Sequence, residues 1–166
     1  MNYEITINHR FSRYLNADIT GYFAQGRNII QTLNGKNNNT GRFRNKGLEL
    51  SVTSQPIDKL WLRASYSYMY SSLKELTAAP KNQYLIGANW QPLPRFNIDV
   101  ELKGVGGLYV ANEVARENYA LLNLGFTYNV TSYIDLFAHL DNLTDADYMI
   151  NNGYKMPGIT CMGGFK

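Results

Sequence analysis

Apolar and polar residues alternate along the chain with a period of two, which is typical of β-strands whose two faces meet different surroundings. The clearest segment has one face made of Leu60, Leu62, Ala64, Tyr66, Tyr68 and Tyr70 and another made of Arg63, Ser65 and Ser67. No segment has helical periodicity. The pattern predicts an all-β antiparallel fold of about nine strands, near residues 2–10, 14–25, 48–53, 60–70, 84–91, 96–103, 122–129, 134–141 and 159–166.

The predicted connections fall into two length classes. Three are tight turns, at residues 55–59, 91–95 and 129–132, and four are long, at Asn34 to Asn45, Ser71 to Lys81, Tyr109 to Asn118 and Leu143 to Gly158. In an antiparallel sheet all four long connections leave from the same end. Transmembrane β-barrels of outer membranes have short periplasmic turns and long extracellular loops, so the pattern favours a fragment of such a barrel.

Composition agrees with strands that meet a membrane interface, since the chain has 13 Tyr, 7 Phe and 2 Trp. Its net charge of +3 and its 16 scattered Lys and Arg do not form the dense basic stripe of a nucleic-acid surface, so no nucleic-acid partner is expected. The single cysteine, Cys161, excludes an internal disulfide, and no Cys/His spacing resembles a metal site.

Nine antiparallel strands cannot close into a barrel, because the first and last run in the same direction and such barrels normally have an even number. We therefore expect upstream strands before Asn2 and at most a few residues after Lys166. The first residues also offer no signal peptide, so we expect the export signal to belong to a missing upstream part.

The last part of the chain contains a motif that resembles a known family. Residues 140–148 read LDNLTDADY and residues 154–165 read YKMPGITCMGGF. They are similar to the closing signature of TonB-dependent outer-membrane receptors, and the KGLEL segment at 46–50 also looks family-like. Two positions depart from the family pattern: Ile159 replaces a basic residue, and Lys166 stands where a final aromatic residue is usual.

The residues of this motif have structural interpretations. Asn142 and Asp145 are expected to hydrogen-bond backbone as the penultimate strand ends, and Tyr148 is expected at the outer interface. Pro157 and Gly158 suit positions i+1 and i+2 of a type II turn. The full set expected to shape the last hairpin is Asn142, Leu143, Asp145, Tyr148, Pro157, Gly158 and Gly164.

The resemblance implies that residues 1–166 are the C-terminal part of a receptor barrel whose plug domain and signal peptide are absent. It implies import of a ferric siderophore, haem or cobalamin with energy delivered by TonB through the plug. The implied partners are outer-membrane lipid and lipopolysaccharide, the receptor's own plug and upstream strands, TonB and a small-molecule metal chelate. No cofactor and no enzymatic activity are implied.

Candidate ligand contacts are cationic and aromatic residues in the predicted loops. Arg42, Phe43, Arg44 and Lys46 place cations around a ring and suit an anionic chelate, and Tyr109, Tyr148 and Tyr154 are further candidates. The alternative is a solvated loop or contact with lipopolysaccharide. No catalytic and no metal-ligating residues are predicted, because His9 and His139 lack partners at ligand spacing.

Other functions remain open from the sequence. A passive pore and an autotransporter barrel share the strand pattern, and a soluble carbohydrate-binding β-domain would also alternate. An outer-membrane protease or lipase would need His139 and Asp141 together with a nucleophile, and no nucleophile is evident.

We expect the protein to be extracted from the membrane fraction only with detergent, because its apolar faces would contact lipid. Fractionation of expressing cells followed by detergent extraction checks this. A monomeric product purified without detergent would contradict the membrane interpretation.

Overall fold

The computed structural model describes residues 1–27, 30–33, 36–39, 41–73, 76–111 and 116–166. The strands are β1 (Asn2–Ser12), β2 (Leu15–Arg27), β3 (Ile30–Leu33), β4 (Lys36–Asn39), β5 (Arg42–Ile57), β6 (Leu60–Ser71), β7 (Asn82–Leu93), β8 (Phe96–Leu108), β9 (Glu117–Asn129), β10 (Asp135–Asp141), β11 (Met149–Asn151), β12 (Tyr154–Lys155) and β13 (Thr160–Phe165). Within these ranges, no helix is long and apolar enough to cross a membrane.

Nine of the strands form one antiparallel sheet in the order β1-β2-β5-β6-β7-β8-β9-β10-β13, in which each strand pairs with its neighbours along the chain. The sheet is open, with β1 at one edge and β13 at the other in the described part of the chain. The predicted all-β fold and its nine strands are confirmed.

The two faces of the sheet have the predicted composition. We call the side that carries Leu48, Leu50 and Val52 of β5 the apolar face and the opposite side the polar face. Cross-strand pairing places Ile19, Leu50 and Tyr66 in one row of the apolar face. Large side chains of this face are solvent-accessible, for example Ile86 at 54% and Leu136 at 48%. A continuous exposed apolar surface of this kind suits contact with lipid.

The connections are sorted by length as predicted. Two-residue turns at 13–14, 58–59 and 94–95 and the segment 130–134 lie at one end, here called the turn end. The long connections 28–41, 72–81, 109–116 and 142–159 lie at the opposite, loop end. Residues 34, 35 and 40 of the first predicted loop, 74–75 of the second and 112–115 of the third lie outside the described residues.

The sequence interpretation was wrong in two details of the loops. Residues 42–45 were assigned to the first loop, but they belong to β5, which pairs with β2 up to Arg27. Two small hairpins, β3–β4 and β11–β12, also lie within the long connections and were missed. Both hairpins are too short for their alternation to stand out from a polar loop.

Glycines in the sheet make room for large side chains of adjacent strands. A Cβ on Gly26 would overlap the Phe43 ring, one on Gly47 would overlap Tyr22, and one on Gly104 would overlap the Tyr84 ring. Phe137, which breaks the polar pattern of its strand, has its ring Cζ 2.9 Å from the Cβ position of Gly164. Such glycine–aromatic pairs fill the surface of a curved sheet.

Asn142 is the centre of the loop that joins β10 to β13. It is 4% exposed and has a φ of +53°, a left-handed conformation that Asn tolerates better than most residues. Its Nδ2 donates to the carbonyl oxygens of Ala146 at 3.0 Å and Pro157 at 3.1 Å. Its Oδ1 accepts from the Ala146 N–H at 2.9 Å. One side chain therefore ties both halves of the loop together.

Further contacts fasten this loop to β9. The Leu143 N–H donates to the Leu122 carbonyl at 2.8 Å, and the Thr144 hydroxyl donates to the Ala120 carbonyl at 2.7 Å. Nearer the hairpin, Lys155 donates to Asp147 at 2.6 Å, and this hydrogen bond raises the pKa of Lys155. The loop is held at its base.

The predicted type II turn at Pro157-Gly158 is not formed, because Gly158 does not adopt the positive φ that position i+2 requires. The need for glycine has another cause. A Cβ at Gly158 would lie 2.6 Å from Oδ1 of Asp145, which itself has a φ of +48°. Gly158 therefore lets the returning chain pass close to Asp145.

We expect Gly47→Ala to destabilise the folded protein by about 1–3 kcal/mol, because the added Cβ would collide with Tyr22 and with the Tyr68 carbonyl oxygen. Gly21→Ala is the matched control, since a Cβ there meets nothing within 4 Å. Thermal unfolding in detergent measures both variants. Equal melting temperatures would contradict the packing at Gly47.

We expect Asn142→Ala to destabilise the loop locally by about 2–4 kcal/mol, because it removes several buried hydrogen bonds at once. Hydrogen exchange of residues 143–158 should become faster in this variant. Asn151→Ala, at an exposed position of the same loop, is the control. Unchanged exchange in Asn142→Ala would show that the network does not hold the loop.

Candidate functional site at the loop end of the sheet

The candidate ligand contacts lie at the loop end, but the strand register divides Arg42, Phe43 and Arg44 between the two faces. Phe43 pairs with Gly26 and lies on the polar face, in line with Glu49. Arg42 and Arg44 lie on the apolar face, in line with Leu48. A cavity of about 580 Å³ follows this end of the sheet and is lined by Met1, Gln25, Gly26, Arg27, Arg42, Phe43, Arg44 and Ser72.

Tyr109 lies in a second cleft of about 490 Å³, which Arg42, Phe43 and Arg44 do not line. The Arg116 guanidinium is 4.8 Å from the Tyr109 ring centroid, a cation–π contact. Tyr70, Leu76 and Lys81 line the same cleft. The cleft thus combines aromatic and cationic groups, a composition that suits an anionic, partly aromatic ligand.

Arg116 and Lys81 were not singled out from the sequence. Arg116 follows Tyr109 across a long predicted loop, where no regular strand or helix brings their side chains together. A basic residue near the end of a long loop was the only available signal, and several loops share it.

The other two tyrosines have different surroundings. Tyr148 is 9% exposed and its ring packs 4.2 Å, centroid to centroid, from Tyr119. It lies near the small buried cluster of Val105, Leu108 and Val110, which Tyr119 also contacts. Tyr154, in the β11–β12 hairpin, is 75% exposed. The four aromatic candidates therefore do not share one pocket among the described residues.

The polar face carries paired charges. Arg63 crosses Gly87 to reach Glu101 two strands away, with Nη2 and Oε2 2.9 Å apart. Asn89 donates to Asp99 at 3.4 Å, and Asn129 donates to Asp135 at 2.6 Å. These pairs suit the charge networks of a polar barrel interior.

The two histidines lie on opposite faces. The His139 imidazole lies 3.2 Å from the Cβ position of Gly125, on the polar face, and His9 lies on the apolar face beside Phe11. In the described ranges, no group of three or more His, Cys, Asp and Glu side chains is placed to hold a metal ion.

The chain matches known proteins in fold and family. A family model described as TonB dependent receptor-like, beta-barrel, matches residues 1–143. No curated protein is similar enough in sequence to count as a relative.

Several solved receptors have the same fold. A copper transporter, OprC, matches 99% of this chain with a TM-score of 0.80 and 19% identity, and 30% of its own length is covered. The ferric enterobactin receptor PfeA from Pseudomonas aeruginosa matches 99% of this chain with a TM-score of 0.78 and 20% identity, with 30% of its length covered. The ferric yersiniabactin uptake receptor FyuA from Yersinia pestis matches 98% with a TM-score of 0.78 and 14% identity, with 27% covered.

The chain thus spans less than a third of the length of these receptors. At such low identities the likeness concerns the fold. Proteins of the matched family are outer-membrane β-barrels that act as receptors and not as enzymes, so the expected location and the non-enzymatic role are confirmed. The strand pattern, the sorted loops and the family match agree, and the chain belongs to the TonB-dependent receptor-like β-barrel family.

Proposed function

We propose that this chain is the C-terminal part of a longer outer-membrane receptor that binds a scarce metal chelate outside the cell and imports it with energy supplied through TonB. The family match over residues 1–143 carries the proposal. The open sheet supports a longer barrel, because unpaired strand edges in lipid would cost several kcal/mol per backbone group.

A ferric siderophore is the ligand class that we propose first. The named structures include receptors for ferric enterobactin and ferric yersiniabactin as well as a copper transporter. Haem and cobalamin stay candidates from the sequence resemblance alone.

Among the predicted contacts, the geometry favours Tyr109 and Phe43. Tyr109 lies with Arg116 in the loop-end cleft, and Phe43 lies on the polar face that would line the barrel interior. Arg42 and Arg44 are on the opposite face, and Tyr148 is buried against Tyr119, so these three have weaker support. Tyr154 is exposed and accessible to a ligand above the sheet.

The remaining partners follow from the same proposal. Lipid and lipopolysaccharide would contact the apolar face, and the plug domain and the upstream strands would come from the rest of the receptor. TonB would act through that plug. The autotransporter, the membrane hydrolase and the soluble carbohydrate-binding domain lose their support with the family assignment.

We expect a cell that expresses the full-length receptor to accumulate one of four tested ligands: ⁵⁵Fe-enterobactin, ⁵⁵Fe-yersiniabactin, haem or cyanocobalamin. Accumulation should disappear in a strain that lacks TonB. Uptake at the same rate without TonB would identify a passive pore and contradict the proposal.

We expect Tyr109→Ala and Arg116→Gln each to weaken binding of the imported ligand by about tenfold, because a desolvated cation–π pair contributes on that scale. Equilibrium binding to the purified full-length receptor measures the change. Tyr133→Ala is the control, since Tyr133 is 90% exposed at the turn end. Equal affinities for all variants would remove this cleft from the ligand site.

A further inference from the structure

The last long connection, residues 142–159, packs on the polar face of the sheet at the loop end. Its Tyr148 makes this contact: the ring centroid of Tyr148 lies 4.2 Å from that of Tyr119, and Tyr148 is 9% exposed. Tyr119 pairs with Val105 in the β8–β9 ladder, and both follow the alternation of Asp99, which places them on the polar face. The connection therefore covers part of that face.

The Tyr148–Tyr119 contact adjoins a small apolar cluster. The side chains that form the cluster or pack against it come from β8, the connection after β8, β9 and β11, and are Val105, Leu108, Val110, Tyr119 and Met149. Val110 directly follows Tyr109 in the chain. The cluster thus holds the backbone beside one member of the cation–π pair in the loop-end cleft.

Asn118 connects the cluster to the other member of that pair. Its Oδ1 accepts from the Gly107 N–H at 2.9 Å, and its Nδ2 donates to the Arg116 carbonyl oxygen at 3.3 Å. Asn118 is also the residue before Tyr119. A shift of Tyr119 would therefore displace the backbone of Arg116.

A second long connection, residues 72–81, holds Tyr109 from the other side. Thr77 forms a parallel β-bridge with Tyr109, and the Ala78 N–H donates to the Tyr109 carbonyl oxygen at 3.2 Å. With the backbone fixed in this way, the Tyr109 ring centroid lies 4.8 Å from the Arg116 guanidinium. The arrangement of the pair thus depends on contacts outside the cleft.

We propose, on the basis of the ligand-binding role proposed above for the cleft, that Tyr148 is a positioning residue of the ligand site. By packing on Tyr119, it keeps Tyr109 and Arg116 in the arrangement that binds the ligand, without contacting the ligand itself. A site whose competent arrangement is populated only a fraction of the time binds more weakly by that fraction. A ring buried outside the cleft can therefore set the affinity.

The rest of the 142–159 connection is fastened independently of the Tyr148 ring. The Leu143 N–H donates to the Leu122 carbonyl oxygen at 2.8 Å at its start. Within it, the Met156 N–H donates to the Tyr148 carbonyl oxygen at 3.0 Å, a bond that uses the backbone of Tyr148 and not its side chain. Substitutions of the ring therefore remove the packing on Tyr119 and leave these bonds available.

The first test needs no ligand and uses the full-length receptor in detergent. Tyr148→Ala should speed hydrogen exchange of residues 105–110 and 116–119 by about tenfold, because local opening becomes more frequent when packing is lost. Ile150→Ala is the matched control, since it truncates a side chain of the same hairpin that is 41% exposed, and its exchange should stay within about twofold of wild type. Wild-type exchange in Tyr148→Ala would overturn the proposal.

The second test measures equilibrium binding of ferric enterobactin and of ferric yersiniabactin. Tyr148→Ala should weaken binding about tenfold, whereas Tyr148→Phe, which keeps the ring, should stay within about twofold of wild type. Because Tyr148 acts through the pair, Tyr148→Ala should cause no further loss in the Tyr109→Ala/Arg116→Gln background. Additive losses would identify a direct ligand contact or a general loss of stability, and either result contradicts a positioning role.

The two tests fail in different ways. If the wild-type receptor bound neither chelate, the proposed ligand class would be wrong, while hydrogen exchange would still decide whether Tyr148 holds Tyr109 and Arg116 in place. Heat-modifiable electrophoretic mobility shows whether each variant is folded. If Tyr148→Ala does not fold, Tyr148→Leu keeps apolar bulk without the aromatic pair and should also exchange faster at residues 105–110 and 116–119. Exchange at the wild-type rate in Tyr148→Leu would then refute the positioning role.

Discussion

Backbone hydrogen bonding is the constraint on which the rest of this structure depends. In hydrocarbon an unpaired N–H or C=O costs several kcal/mol, so a chain that crosses lipid as strands must pair each strand along its whole length. The nine-stranded meander meets this demand with neighbours along the chain, and in the part that the structure describes its two edge strands, β1 and β13, still need partners. Because the pairing is local, each hairpin fixes the register of the next.

Register has consequences for every side chain, since a strand exposes alternate residues to opposite surroundings. In the main sheet, the acidic groups of the paired strands lie on one face and the exposed aliphatic residues on the other. The protein consequently has little core of the usual kind. Its buried cluster of Val105, Leu108 and Val110 is small and lies at the loop end, where the chain folds over β8 and β9.

Much of this arrangement follows from the sequence, because the period of two is a local property. The rows Leu48–Val52 and Leu60–Tyr70 predicted both strands and faces correctly. The prediction failed at residues 42–45 because the usual alternation is reversed there: the charged Arg42 and Arg44 lie on the apolar face and Phe43 lies on the polar face. Extending the parity of Leu48 by six residues toward the loop end would have placed Arg42 and Arg44 on the apolar face.

The candidate site was harder to predict, because its contacts join residues from separate loops. No local sequence pattern connects Arg116 to Tyr109, or Asp145 to Gly158. The close approach of Asp145 explains why residue 158 is a glycine. The Pro157-Gly158 dipeptide shows the same limit. Its composition suits a type II turn, yet the close approach of Asp145 decides the conformation. Long-range packing thus overrides turn preference at this position.

The loop-end part of β5, residues 42–46, presents different side chains to the two faces of the sheet. In β6, ten residues separate Tyr70, near the loop end, from Leu60, which pairs with Trp90 near the turn end. In a tilted strand this length spans about 25 Å, the height of the apolar band of an outer-membrane barrel. β5 continues for four more residue pairs beyond the row that contains Lys46 and Tyr70, so it extends beyond the hydrocarbon. There, Arg42 and Arg44 lie on the apolar face while Phe43, between them, lies on the polar face. Because adjacent residues of a strand point in opposite directions, substitutions at Arg44 and at Phe43 alter opposite faces of the sheet, so one position can change without altering the surface that the other presents.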